Sequence, residues 1–381
     1  MKKSLLTIMS LFMTYSTFAE QLTPNEALNR MQSEKAYAKG YASPLNDEVK
    51  LVYSSSFKGN NTYYVFNKAN KSGFLILSAD DCMPAVLGEV EGSDFDMSSI
   101  PANMRWWLSE YDKVISEYIA KGKKYISVTP KKDISPLLNS LWNQLEPYNA
   151  MCPIVEQQRC VTGCVPTAMA QIMRKHQWPE KGTGKDEYRK EVSVYDEDGK
   201  YKHDTIQIIS SDFSRHTYDW NNMLDIYDEN STETQKNAVA LLMSDCGVAA
   251  HANYTPTASG AFVFTALKGM VNFFNYDPSA RILSRSIYTD EEWEDLVYED
   301  LSNDMPVFYV GGGAQNDAHA FVCDGYKAEG NMYHINWGWG GDYHGYFLLT
   351  DNNHEVLYPS SSYHFNDSQI IIKGLKPASK P

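Results

Sequence analysis

Between Met305 and Leu375 the chain repeats one pattern. "MPVFYVG", "AHAFVCDGY", "MYHINWGW", "GYFLLT" and "SQIIIKGL" are short apolar runs parted by glycine, asparagine and aspartate. Runs of this length, bounded by turn residues, are what a twisted antiparallel sheet requires. The chain ahead of them is patterned differently. From Val165 on, "VPTAMAQIMRKH" reads as a helix with Val165, Met169, Ile172 and His176 on one stripe. Helices first and strands after predict an α+β unit, a helical lobe facing a β lobe. The cleft between such lobes is the default place for a site.

A smaller unit precedes this one. "LTPNEALNRMQSEKAYAKG" enters a helix at Thr23-Pro24. "VKLVYSSSF" and "TYYVFNKANKSGFLILSADD" alternate as strands, with "KANKSG" as a hairpin turn. "IPANMRWWLSEYDKVISEYIAKGKK" is an amphipathic helix that Gly122 and its lysines close. At 381 residues two domains are expected. The polar "YISVTPKKDISPLLN", with its two prolines, reads as an exposed linker and divides the chain into residues 20–130 and 131–381. Inside the larger unit "EKGTGKDEYRKEVSVYDEDGKYKHDTIQ" is a charged surface excursion.

The N-terminal "MKKSLLTIMSLFMTYSTFAEQL" has two lysines, an apolar run and small residues before Ala19. Residues 1–19 are therefore expected to be a secretory signal peptide, and the protein to be secreted or periplasmic. The apolar run, ~12 residues against the ~20 that span a bilayer, predicts no transmembrane anchor. A formal net charge of -14 argues against nucleic acid or anionic membrane as a partner. Six cysteines are sparse for this length and show no paired metal spacing, so no metal site, cofactor or disulfide framework is expected.

One cysteine stands where chemistry would put it. Cys164 follows Gly163 at the entry of the helix, where the helix dipole favours a thiolate. Glycine lets another backbone come close, as an oxyanion hole requires. Cys160 lies outside the helix and is the rival nucleophile. A thiolate needs a base that later serves as an acid, usually histidine. Of nine histidines, His319 stands out: a glycine-rich loop leads into it, a strand leads away, and its flanks are Ala318 and Ala320. His334 is a weaker second candidate, and His176 on the helix stripe is structural. His203, His216, His344, His354 and His364 lie in polar surroundings. "NWGWGG" begins at Asn336, 17 positions after His319, a gap that fits two adjacent strands and a turn. That brings Asn336 or Trp337 beside the imidazole, to hold its tautomer or to shield it. Gln144, 20 residues before Cys164, can supply a second donor to the attacked carbonyl.

Taken together and in order, "WNQLEPYN", "TGCVPTAMAQIM", "HAFVCDGY" and "HINWGWGG" resemble the streptopain family of papain-like cysteine proteases. The resemblance spans the chain after the signal. It implies a papain-like two-lobe fold behind a small α+β propeptide domain. It implies a secreted cysteine endopeptidase made as a zymogen, acting on protein or peptide substrates through a thiolate–imidazolium pair and an acyl-enzyme. An apolar side chain two residues before the cut is implied as the preference. Cys164 is then the nucleophile, His319 the general base and acid, and Gln144 part of the oxyanion hole. Trp337 packs by the histidine where other papain-like enzymes rely on an asparagine, and the role of the adjacent Asn336 stays open. Residues 20–130 become an inhibitory propeptide, cut away near Lys131 or Lys132, often by the enzyme itself. "GGGAQND" matches a flexible active-site loop. "LLMSDCGVAAHANYTPTASGA" matches the region that lines the substrate cleft, with Cys246 and His251 as wall or packing residues. The lysosomal "C-G-S-C-W" signature is missing, so only the broad class is shared with those enzymes. Two alternatives use the same residues: a cell-wall amidase or transglutaminase-like Cys–His hydrolase, and an inactive papain-like paralogue that binds.

Overall fold

The computed structural model describes residues 20–39, 49–125, 131–155, 157–195, 200–312, 318–349 and 369–378. The signal-peptide reading of residues 1–19, linker residues 126–130, loop residues 313–317, His354 and His364 lie outside the described residues.

The smaller unit contains α1 (Pro24–Lys39), β1 (Val49–Phe57), β2 (Asn60–Lys68), β3 (Gly73–Ser78), β4 (Val86–Glu91) and α2 (Ala102–Lys121). Local chemistry sets these ends. Asn70 takes φ 59° in the β2–β3 turn, and Gly122 caps α2 at φ 58°. The larger unit opens with β5 (Ile154–Val155), β6 (Gln158–Arg159), α3 (Cys164–His176), β7 (Asp186–Tyr195) and β8 (Tyr201–Ser211). It continues with α4 (Glu233–Ala249), α5 (Val263–Phe274), β9 (Arg281–Ser284) and α6 (Asp290–Ser302). The repeated apolar runs become β10 (Val307–Gly311), β11 (His319–Lys327), β12 (Met332–Asn336), β13 (Gly345–Phe347) and β14 (Ile370–Lys373). The charged excursion is the β7–β8 hairpin, whose Tyr188, Val192 and Ile209 pack on the helical lobe while most of β8 faces solvent.

Strands of both units join one ten-stranded sheet, in the order β1-β2-β3-β4-β13-β12-β11-β10-β14-β9, all antiparallel. Its two faces follow the two-residue period of strands. Phe308, Ala320, Val322 and Ile372 face the lobe of α3, α4 and α5. Val307, Tyr309, Phe321, Cys323 and Ile371 share a core with α2 and α6. β11 is thus buried on both faces, which fits the continuous apolar stretch from Ala320 to Cys323 within it. A third cluster seats Ala27 and Met31 of α1 on β2 and β3.

The units meet along β4 and β13, where Val90 pairs Gly345 and Glu89 pairs Tyr346. The Tyr111 hydroxyl on α2 lies 2.7 Å from the Leu87 carbonyl and 3.0 Å from that of Leu348, one on each side of the seam. Lys327 crosses it to Glu89 at 3.0 Å. Past the linker the chain lies along β11, with Ile134 and Tyr326 exchanging two backbone hydrogen bonds of 2.8 Å.

Candidate active site

α3 is more deeply buried than one apolar stripe requires. Every residue from Val165 to Met173 is buried, which makes it the central helix of its lobe rather than a surface one. Arg174, Lys175 and His176 close it, complementing the negative end of the dipole. At the other end Gly163 takes φ +88°, and a Cβ there would lie 2.5 Å from the Ser259 carbonyl oxygen. Only glycine meets both conditions. The approach to Gly163 is tied down: Thr162 N–H donates to the Gln144 carbonyl at 3.1 Å, and the Ser259 hydroxyl to that of Val161 at 2.6 Å. The backbone of Gln144 is thereby fixed beside the turn that delivers Cys164.

Cys164 is half-buried at the first turn of α3. Burial pushes its thiol up, against the pull of the Ala320, Val165 and Cys164 N–H groups. Those donors form a ready cradle for negative charge, and Ala320 brings β11 to the sulfur. The sequence marks Ala320 only as a small flank of His319, since a backbone donor leaves no mark on residue type.

His319 opens β11, buried to 3% exposure. Its Nε2 lies 2.8 Å from the Trp337 carbonyl oxygen. A carbonyl can only accept, so Nε2 carries the hydrogen and Nδ1 is left with the lone pair. The Trp339 ring lies nearly parallel to the imidazole, centroids 4.9 Å apart, and Trp337 and Phe321 stack at 6.2 Å. Burial pushes His319 down to about 4. Among the described residues no hydrogen bond joins Cys164 to His319. Burial disfavours the charged form of each group.

α2 packs against residues that surround His319. Trp106 lies so close to Gly311, the residue paired with His319, that a methyl there would come within 2.9 Å of its ring. Trp107 meets Trp337 edge-on at 5.7 Å and Phe321 at 6.0 Å.

The 17-position gap does run along two paired strands, but the register sets Asn336 opposite Val322. Asn336 therefore does not touch the imidazole; its neighbour Trp337 does, through a main-chain carbonyl and a ring. His334 faces elsewhere, 2.6 Å from Asp324 and beside Tyr346 near the seam. His176 bonds the Tyr276 hydroxyl at 2.9 Å. Cys160 is buried in the helical-lobe core. Cys246 lies against Met173 at 3.6 Å, and His251 pairs with Asp186 and stacks on Tyr188. His344 is not in polar surroundings: it is buried at the seam, where burial and the nearby His334 push it down to about 3.

The peptidase C10 family model matches residues 142–347, and the model described as Spi protease inhibitor matches residues 19–115. The chain is 30% identical to streptopain of Streptococcus pyogenes over 375 residues, 94% of this chain and 92% of that one. It is 31% identical over 349 residues to the thiol protease/hemagglutinin PrtT of Porphyromonas gingivalis, covering 87% of this chain but only 39% of that relative's length. Among solved structures, a prointerpain A fragment of Prevotella intermedia is similar at a TM-score of 0.70 and 32% identity, over 88% of this chain and 100% of that one. Active interpain A of the same organism is similar at 0.51 and 34%, over 64% and 98%. The α+β architecture is shared with the prointerpain A fragment, and an inhibitor-like unit precedes the two-lobe unit.

Proposed function

The chain belongs to the peptidase C10 family of cysteine peptidases, and from that premise we propose that residues 131–381 hydrolyse peptide bonds through Cys164 and His319 while residues 20–130 hold them latent. One observation carries this reading: the thiol at the start of α3 lies against Ala320, the residue next to His319 on β11.

The chemistry follows from the donors and acceptors. His319 Nδ1, the free lone pair, takes the proton of Cys164 Sγ. The thiolate attacks the substrate carbonyl carbon, and the new oxyanion is met by the Cys164 N–H and the Gln144 side-chain amide. His319 returns the proton to the leaving amine. Water then gives a proton to His319, and its oxygen displaces sulfur from the acyl-enzyme. The Trp337 carbonyl holds the imidazole upright throughout, and the indoles of Trp337 and Trp339 keep water from its face. Substrates are proteins or peptides, with an apolar side chain preferred two residues before the cut. Export follows from residues 1–19 as a signal peptide.

Latency has a physical basis in the same site. Burial raises the thiol and lowers the imidazole, so it opposes the ion pair that catalysis needs. Release of α2 frees Phe321 and Trp337, the rings that pack around the imidazole. The cut that frees it is proposed near Lys131 or Lys132, both of which contact α6 residues in the latent state.

The test is hydrolysis of casein by the chain freed of its first unit. Cys164→Ala or His319→Ala is expected to lower turnover by about a thousandfold or more. Full turnover in either variant overturns the assignment. Hydrolysis of peptidoglycan but not casein would favour the amidase alternative.

A further inference from the structure

The peptide unit between Trp337 and Gly338 is held from both sides. Its carbonyl accepts the His319 Nε2–H at 2.8 Å. Its N–H, that of Gly338, donates to Asn336 Oδ1 at 3.1 Å. The same oxygen accepts from Gln171 Nε2 at 3.1 Å. Gln171 Oε1 in turn accepts from the Ser140 hydroxyl at 3.0 Å, and Asn336 Nδ2 donates to the Ser140 carbonyl at 2.9 Å. Ser140, Gln171 and Asn336 are 2%, 0% and 2% exposed, so water does not compete for these bonds.

The closed ring ties three pieces of the site together. Gln171 stands about two turns beyond Cys164 on α3. Ser140 lies on the segment that leads to Gln144, and Asn336 ends β12. Buried, fully satisfied polar rings of this kind hold one geometry, because each broken bond strands a partner away from water. A peptide whose N–H is bonded is also a stronger acceptor at its carbonyl. That carbonyl faces the imidazole that becomes charged in the reaction, when a hydrogen bond from it strengthens.

We propose that Gln171, acting through Asn336, is a positioning residue for the reaction: it fixes the Trp337–Gly338 peptide plane and so the orientation and basicity of His319. It touches neither substrate nor reacting atoms. The inference rests on His319 being the base. The rings stacked on His319 are those of Phe321, Trp337 and Trp339, none of which titrates near neutrality; burial lowers its basicity, and the Trp337 carbonyl is the hydrogen-bond partner that opposes burial.

The test uses the chain of residues 20–381, freed of its first unit by limited trypsin digestion and quenched. Gln171→Met keeps the side-chain length and removes both hydrogen bonds. kcat is expected to fall about 10- to 100-fold with KM nearly unchanged, as a small misplacement of a catalytic group does. The weaker acceptor favours neutral imidazole, so the basic limb of the kcat/KM pH profile moves to lower pH. Lost packing alone would lower the melting temperature and leave that limb in place. Ser140→Ala, which removes only one hydroxyl, is expected to shift the limb the same way by less, and it decides the matter should Gln171→Met not fold. A folded Gln171→Met, or failing that Ser140→Ala, with wild-type kcat and basic limb overturns the proposal. His319→Ala run in parallel separates the two ideas. If it is inactive and Gln171→Met is normal, only the positioning role fails; if it retains turnover, the base itself is wrong.

Discussion

Replacing Trp107 by alanine should loosen the latent state from a point outside the catalytic residues. The indole is 3% exposed. Its ring neighbours on the catalytic sheet are Trp337 at 5.7 Å, Phe321 at 6.0 Å and Phe347 at 6.1 Å, against Trp106 and Tyr111 on its own helix. Truncating a buried tryptophan costs about 3–5 kcal/mol. With somewhat more than half of those ring contacts crossing between units, roughly 2 kcal/mol weakens the closed state and the rest falls on the fold of the first unit. At about 1.4 kcal/mol per tenfold, the open fraction rises about 30-fold. The assay is the rate at which an epoxysuccinyl thiol reagent labels Cys164 in the uncut chain, read by intact mass. Closed, the thiol is pushed up by burial and the imidazole is pushed down, so labelling reports opening. A folded Trp107→Ala chain that labels and matures at the wild-type rate would refute the reasoning.

Two further outcomes are expected. Gln144→Ala should lower kcat about 100- to 1,000-fold with little effect on KM, the size of one lost oxyanion donor; an unchanged kcat in the freed enzyme would remove Gln144 from the site. Acid should weaken the latent chain. His344, His319 and His176 are held at about 3, 4 and 4 against a usual 6.5, so between 6.5 and those values the unfolded chain binds protons that the folded one refuses. Stability is therefore full above 6.5 and falls as pH drops below it. His344→Phe in a Cys164→Ala background should flatten that fall, measured by denaturant unfolding at pH 7.5 and 4.5; equal losses in variant and parent would say His344 is not buried as described.

Most of this was legible where one residue type does one job. Gly122 ends α2 because it alone takes the left-handed cap at no cost, and the β10–β14 runs announced themselves by their turn residues. Cys164 after Gly163 was readable because a helix start favours a thiolate and glycine admits a close backbone, which here is the Ser259 carbonyl. What escaped was set by pairing across long distance. The β4–β13 seam joins residues about 250 positions apart through backbone groups, which any sequence possesses. The same holds for the Ala320 N–H at the sulfur and the Trp337 carbonyl at the imidazole. The gap of 17 left Asn336 and Trp337 as alternative neighbours of His319, because it fixes the strand pair but not the register, which sets Asn336 opposite Val322 and leaves Trp337 at the imidazole. His344 looked polar from its flanks, yet its burial comes from the seam.

The most direct test follows the intact mass of residues 20–381 over time, as wild type and as Cys164→Ala. The wild type should lose a folded segment of about 110 residues, on the order of 12 kDa, while the variant stays whole. Maturation of a protease-free Cys164→Ala preparation at the wild-type rate would contradict a thiol that cleaves its own chain.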